Sequence, residues 1–231
     1  NLEVTSSILD NNILNFSKIF GFKQCAENKA DISHSGGRIV KLNNENIFLT
    51  IGDFNQRDSV QNDNSFFGKI IKINLENYDT QIISKGHRNP QGLFFFEDQN
   101  ILFSTEHGPI GGDEVNLIDL NKLNKKKYNF GWPIASYGVG NQADPTKFLN
   151  NDIKYEDHKT RGFDEPLKYF TPSIGISQLV IKEDNLNKNI IKILISALGT
   201  AIWEGDMSIH LIEYDVNQNQ ILKEEVLRIH E

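Results

Sequence analysis

The chain has one cysteine, one methionine and six prolines among its 231 residues. A single thiol, Cys25, excludes an internal disulfide and any cysteine-built metal cluster, and a lone buried thiol is the default expectation for it. Positive charge is also in short supply. The formal net charge of −7 disfavours a nucleic-acid partner, and the one lysine-rich stretch, residues 122–127, reads as a solvated turn. No segment is long and apolar enough to span a bilayer, and the residues after Asn1 carry no signal-peptide pattern. A sustained apolar period of 3.6 residues is missing as well. Only residues 7–20 are a candidate helix, and residues 1–30 as a whole read as an irregular or atypical leading segment.

Short apolar runs bounded by Gly, Asn, Asp or Pro stand in place of helices. A first set lies at 38–42, 46–51, 68–74 and 80–84, and a second at 92–97, 100–105 and 114–120. The rest lie at 167–170, 178–182, 190–196, 208–214 and 221–229. Runs of this length, punctuated by turn residues, indicate an all-β architecture. An internal echo runs through them. GGRIVKLNNENIFLTIGD and NPQGLFFFEDQNILFSTEHG share a layout of glycine, strand, polar turn, strand and acid-containing loop, about 54 residues apart. SIGISQLVIKEDNLNKNIIKILISALG is a weaker third instance. Strand–turn–strand units at this kind of spacing suggest propeller blades, whose inner-strand loops converge on an axis. A β-sandwich with coincidental echoes is the alternative.

The densest chemical signal is EHGPIGGDEVNLI at residues 106–118, closed by NFGWP at 129–133. A Gly-Pro pair and further glycines directly before adjacent acids exclude regular helix or strand. Carbonyls and carboxylates gathered on one loop are what a hard cation such as calcium requires. A tight loop with a solvated acidic tip fits equally well from these residues alone.

Several blocks together, SHSGGRI, IGDFNQRDSVQND, FFGKIIKIN, GHRNPQGLFF, EHGPIGGDEVNLI and NFGWPIASYG, resemble the soluble glucose/sorbosone dehydrogenases. These are the aldose sugar dehydrogenases that depend on pyrroloquinoline quinone (PQQ). The resemblance covers residues 33–138, and PLKYFTPSIGISQL, IIKILISALG and EEVLRI resemble later strands more loosely. It implies a six-bladed β-propeller of the quinoprotein glucose dehydrogenase type, with PQQ on the axis and calcium beneath it. Six blades need about 240–300 residues, and the dozen or so strand candidates make about three to four. The expectation is therefore one partial propeller domain over residues 1–231, incomplete at both ends. It is a fragment, a short propeller, or half of a homodimer that completes the ring.

Residue roles follow from the same resemblance. His34 falls where the family keeps its catalytic base, which takes a hydroxyl proton as hydride leaves carbon. Where part of the family has an acid before this histidine, Ser33 stands here, and a serine cannot stabilise imidazolium charge. Arg88 and Asn89 match positions that contact the quinone and the reacting centre, a guanidinium there stabilising developing negative charge. The plain alternative is a loop arginine paired with Asp53 or Asp113. Gly108 and Pro109 match the pair whose carbonyls hold the cofactor's calcium, a Lewis acid on the quinone. Asp113 and Glu114 match acids linked to a second, structural calcium, or cap turns. Phe130, where tyrosine is usual, and Trp132 read as packing residues.

The C-terminal part departs more. The family's lysine is replaced by Gly199-Thr200-Ala201, and its paired arginines by Arg228-Ile229-His230, which leaves Arg228 as a cofactor-binding cation. Each lost charge-assisted hydrogen bond costs about 1.5–3 kcal/mol, and Glu204 and Asp206 make the rim more acidic. The implied function is PQQ- and calcium-dependent oxidation of a sugar's anomeric hydroxyl to a lactone, in the periplasm or outside the cell, with an unspecified electron acceptor. The alternative is a non-catalytic calcium-binding partial propeller that has lost the quinone. A hydrolase of the lactonase or strictosidine-synthase kind lacks its expected axial acids and asparagines.

Overall fold

The structure, a computed structural model, describes residues 3–26, 32–138, 155–184, 187–199 and 207–228. Within them a hairpin of β1 (Glu3–Asp10) and β2 (Ile13–Gly21) precedes three larger sheets. The first orders β3 (Gly36–Lys41), β4 (Asn46–Ile51), β5 (Lys69–Asn74) and β6 (Thr80–Lys85) from inside outward. The two-residue β10 (Tyr128–Asn129) lies parallel to β6. The second runs β7 (Pro90–Phe96), β8 (Ile101–Glu106), β9 (Asp113–Asp119) and β11 (Lys168–Phe170). The third is β12 (Ile176–Glu183), β13 (Ile190–Ala197), β14 (Ser208–Asp215) and β15 (Gln220–Arg228). All pairs other than β6–β10 are antiparallel. Strand β7 packs against both β3 and β12, so the first strand of each sheet is its inner strand. This is part of a β-propeller, and the echo marks the innermost hairpin of each of its three sheets.

Successive layers explain why the strands are apolar on both faces. Phe48, Ile70, Leu93, Leu102 and Phe130 pack between the first and second sheets. Phe103, Val115, Ile176, Ile193 and Ile212 pack between the second and third. Val4 and Phe22 cover Leu49, Ile51, Ile71 and Ile73 on the hairpin side. Strand β8 lies in a sandwiched sheet and is buried at every position. Each fully buried Phe or Ile there stabilises the fold by about 1.5–3 kcal/mol.

Two expectations for the leading segment change. Residues 7–20 are not helical, and residues 3–21 are not irregular but a hairpin. Asn11 and Asn12 turn it at positive φ of 47° and 64°, the backbone a two-residue hairpin turn requires and asparagine tolerates. The doublets Ile8-Leu9 and Ile13-Leu14 blurred the period-two signal because much of the hairpin is exposed on both faces. Cys25 is exposed rather than buried.

The sheets are tied at their inner ends by one repeated device. The Thr50 hydroxyl donates to the Pro90 carbonyl at 2.8 Å, and the Thr105 hydroxyl donates to the Ser177 carbonyl. Gly92 is required beside the second contact, since a Cβ there would collide with the Thr105 hydroxyl.

The loop from β4 to β5, which contains the short helix α1 (Arg57–Val60), is held from within by a lysine. Lys69 is fully buried and its ammonium donates to the carbonyls of Val60 and Phe67, both at 2.7 Å. Burial, reinforced by nearby Lys85, lowers its pKa to about 8. Between that value and the unfolded lysine value, the unfolded chain keeps a proton that the folded chain has lost, so stability rises with pH. The slope reaches at most about 1.4 kcal/mol per pH unit. In urea titrations at pH 7.5, 8.5 and 9.5, the stability of the wild type relative to Lys69→Met is expected to grow with pH; a constant difference would contradict it.

Candidate active site

The inner ends of the strands present the chemistry. His34 closes a 3-10 turn just before β3 and is 9% exposed, opening on a cavity of about 780 Å³. Its Nδ1 lies 2.9 Å from Oδ1 of Asp53, which follows β4. Its Nε2 lies 3.0 Å from Nη2 of Arg88, which precedes β7. Arginine can only donate, so Nε2 is the accepting nitrogen and Nδ1–H points at Asp53. Asp53 is fully buried; it also accepts from the Asn55 N–H at 2.8 Å and from the Trp132 indole N–H at 2.7 Å. Asp53, not Ser33, is thus the acid that orients the histidine. Trp132 does more than pack, since its N–H holds that acid in place.

Arg88 is nearly buried. Burial lowers its pKa from the usual arginine value, and Asp53 opposes the shift. Besides His34 it donates to the His107 carbonyl at 3.3 Å, and its guanidinium lies 5.5 Å from the Trp132 ring centre. Glu106 pins the arginine's backbone, accepting from the Arg88 N–H at 2.7 Å. The same carboxylate meets His87 Nδ1 at 2.9 Å and accepts from the Asn116 amide at 2.7 Å. Asn89 lines the cavity but spends its amide on the turn that carries His34. It accepts from the Gly36 N–H and donates to the Ser33 carbonyl, each at 3.2 Å. Burial, with Arg88 and His34 adding to it, lowers the pKa of His107 on the same wall.

The Gly108 loop forms another wall. It curls so tightly that the carbonyl oxygens of Gly111 and Gly112 each lie only 2.3 Å from where a Cβ of residue 108 would be. Asp113 sets this curl. Its oxygens accept from the N–H groups of Gly108, Ile174 and Ile176, each at 3.1 Å, and from the Ser173 hydroxyl at 3.0 Å. Glu114 is buried, and that burial, with Glu106 close by, raises its pKa well above the usual carboxylate value. Its carboxylate faces the Asn116 amide at 3.4 Å and His158 Nε2 at 3.6 Å. Among the described residues no cluster of three or more His, Cys, Asp or Glu side chains is arranged to hold a metal ion. The main-chain oxygens of the Gly108 loop fit a cation, whereas the Asp113 carboxylate, with four protein donors, does not.

The structure therefore gathers His34, Arg88, Asn89, Gly108 and Asp113 on one cavity. Arg228 is separated from them: it ends β15, the outermost strand of the third sheet, and is exposed. Strand order explains this, since three strand spacings of about 4.8 Å lie between inner and outer strands. Thr200, Ala201, Glu204, Asp206, Ile229 and His230 lie outside the described residues. Gly199, standing for the family's lysine, does line the cavity. Arg88 is the only cation among the described lining residues. The size and the arginine fit a polyanionic cofactor such as PQQ, although with few charges to hold it. Sequence reading missed the roles of Asp53 and Glu106, and their signal was the acid-containing loop that ends each echo.

An arc of propeller blades with a histidine, a carboxylate and an arginine at its inner end defines a β-propeller with an axial polar site. The sequence profile of the family described as Glucose / Sorbosone dehydrogenase matches residues 3–231, and the chain belongs to that family. It is 28% identical over 177 residues to aldose sugar dehydrogenase YliI of Escherichia coli (strain K12), covering 70% of this chain and 44% of that protein. It is 31% identical over 135 residues to quinoprotein glucose dehydrogenase B of Acinetobacter calcoaceticus, covering 45% of this chain and 27% of that one. The chain thus spans less than half the length of these curated relatives. Among solved structures, the apo-form of the soluble aldose sugar dehydrogenase from Escherichia coli superposes with a TM-score of 0.71 at 24% identity, covering 98% of this chain and 63% of that one. The PQQ-bound form of aldose sugar dehydrogenase from Streptomyces coelicolor gives 0.64 at 19% identity, covering 97% and 58%.

The four donors on Asp113 make it the tie between the Gly108 loop and the third sheet. Asp113→Ala leaves three N–H groups unpaired, two of them buried, and is expected to cost about 3 kcal/mol or more in urea unfolding. A cost below about 1 kcal/mol would show that the loop is held by other contacts.

Proposed function

We propose that this chain is the sugar-oxidising part of a PQQ- and calcium-dependent aldose dehydrogenase, which converts the anomeric hydroxyl of an aldose to a lactone. The observation that carries the reading is the Asp53–His34–Arg88 line facing the cavity. The Nε2 lone pair of His34 is held by the Arg88 N–H, so a hydroxyl that gives up its proton there displaces that N–H, which turns onto the hydroxyl oxygen. Base and charge stabiliser thus act on the same oxygen. Asp53 holds Nδ1–H and keeps Nε2 aimed at the substrate as it takes the proton. PQQ, when bound, supplies the hydride acceptor, and a calcium held by the Gly108 and Pro109 carbonyls would polarise it. Asn89 orients the His34 turn and, lining the cavity, would also contact the quinone. The reading brings with it a place outside the cytoplasm, periplasmic or secreted. Pairing of two copies through the exposed apolar edge of β15 (Leu222, Val226, Leu227) also belongs to it, and strictly monomeric elution in sizing chromatography would count against that pairing.

A second reading, a calcium-binding propeller that no longer holds the quinone, is favoured by one observation: Arg88 faces three expected carboxylates with Gly199 where a lysine is expected. Dye reduction with added PQQ, calcium and a panel of aldoses separates the two. Activity is expected, with His34→Ala lowering kcat by about 10²–10⁴-fold and Asp53→Asn lowering it by less at unchanged quinone affinity. Absence of quinone binding in calorimetry with calcium present rejects the oxidising role for this chain.

A further inference from the structure

We propose that His87 is a positioning residue for Arg88: held by Ser84, its imidazole fixes the Glu106 carboxylate, which in turn fixes the arginine's main chain. The inference rests on the reading of Arg88 as the charge stabiliser. Two histidine–carboxylate pairs are built alike in successive sheets. His34 Nδ1 lies 2.9 Å from Asp53 and His87 Nδ1 lies 2.9 Å from Glu106, and in both pairs the acid follows the histidine by 19 residues. The pairs differ in what the far ring nitrogen meets. His34 Nε2 reaches the Arg88 guanidinium at the cavity. His87 Nε2 lies 2.7 Å from the Ser84 hydroxyl, and Ser84, His87 and Glu106 are all buried. The first pair is thus open to a reacting hydroxyl, and the second is closed on the protein.

What the second pair does follows from adjacency in the chain. Glu106 accepts the His87 Nδ1–H on Oε1 and the Arg88 main-chain N–H, at 2.7 Å, on Oε2. One carboxylate therefore grips the side chain of one residue and the backbone of the next. That fixes the torsions between them and the direction in which the arginine side chain leaves. The Asn116 amide donates to Oε1 as well, at 2.7 Å. The far end of Arg88 is also tied, since its carbonyl accepts from the Asp53 N–H at 2.8 Å. A carboxylate only accepts, so Nδ1 of His87 carries the proton and Nε2 takes the Ser84 O–H. The Phe130 ring lies 5.2 Å from the imidazole, and the His87 N–H donates to the Gly68 carbonyl at 3.2 Å. An arginine whose tip turns from His34 onto a hydroxyl oxygen needs a base that stays where it is. A misplacement of about 1 Å in such a group costs about 10²-fold in rate.

Amide side chains separate the two contacts of the ring. Asparagine places its N–H near Nδ1 and glutamine near Nε2, so His87→Asn keeps a donor for Glu106 and His87→Gln keeps only a partner for Ser84. Hydrogen exchange of the Arg88 amide is measured by NMR on the quinone-free chain, relative to the amides of β8, and kcat and KM are measured by dye reduction with PQQ and calcium. His87→Gln is expected to speed Arg88 exchange by about 10–10²-fold and to lower kcat about tenfold or more at unchanged sugar KM. His87→Asn is expected to stay near the wild type in both. Should neither ring variant fold, Ser84→Ala is the milder change, expected to speed Arg88 exchange about tenfold. Equal Arg88 exchange in His87→Asn and His87→Gln, an unchanged kcat of His87→Gln in an active enzyme, or unchanged Arg88 exchange in Ser84→Ala overturns the proposal. A wild type that reduces no dye rejects the sugar-oxidising role instead, and the exchange comparison still decides whether His87 holds Arg88.

Discussion

The candidate site depends on where the Asp53 carboxylate is held. It is fully buried and receives a ring nitrogen from the turn before β3, an N–H from its own loop and an indole N–H from the NFGWP stretch. Three segments far apart in sequence therefore meet on two oxygens. Removing any one donor would leave a buried charge short of partners, which costs more than the net gain from an ordinary hydrogen bond. The buried Lys69 beneath the same loop and the Asn89 amide across the cavity act in the same sense, since each fixes main chain rather than touching a substrate. Precision here comes from saturated hydrogen bonding, with the cavity left to the reacting groups.

Much of the fold was legible because the strands lie in stacked sheets. Runs such as NIFLTI and ILFSTE carry three or four apolar residues in six and are buried almost throughout, and glycine, asparagine and proline cut them to strand length. The exceptions have physical causes. The leading hairpin exposes much of both faces, which removes the alternation that marks a half-buried strand. Strand β10 has two residues, too few for any pattern. At the site, His34, Arg88 and the Gly108 loop were legible as motifs. Asp53 as the partner of His34 was not, because nothing in the spacing of residues 19 apart along a chain says which acid folds against which histidine. Asp113 was legible as an acid but not as one already supplied with four protein donors.

The electrostatics of the site are uneven. Its floor carries two buried glutamates and its wall an aspartate, while the described lining offers one guanidinium. Such a site suits a ligand that brings a cation with it, or one whose negative charge is created only during reaction. Its ground-state hold on a trianion is weak by comparison. This imbalance makes the hydroxyl-facing half of the cavity better defined than the half that would grip a cofactor.

The Thr50 and Thr105 hydroxyls each reach only the inner strand of the next sheet. Blade-to-blade alignment is therefore passed along in nearest-neighbour steps, as rungs are along a ladder, and no single residue spans the whole arrangement. His34 belongs to the first sheet's entry, Arg88 and Gly108 to the second, and Asp113 is locked to the third. An arc of three blades is thus enough to bring these groups into register, and the geometry of the reacting centre is set locally, whatever closes the circle around it.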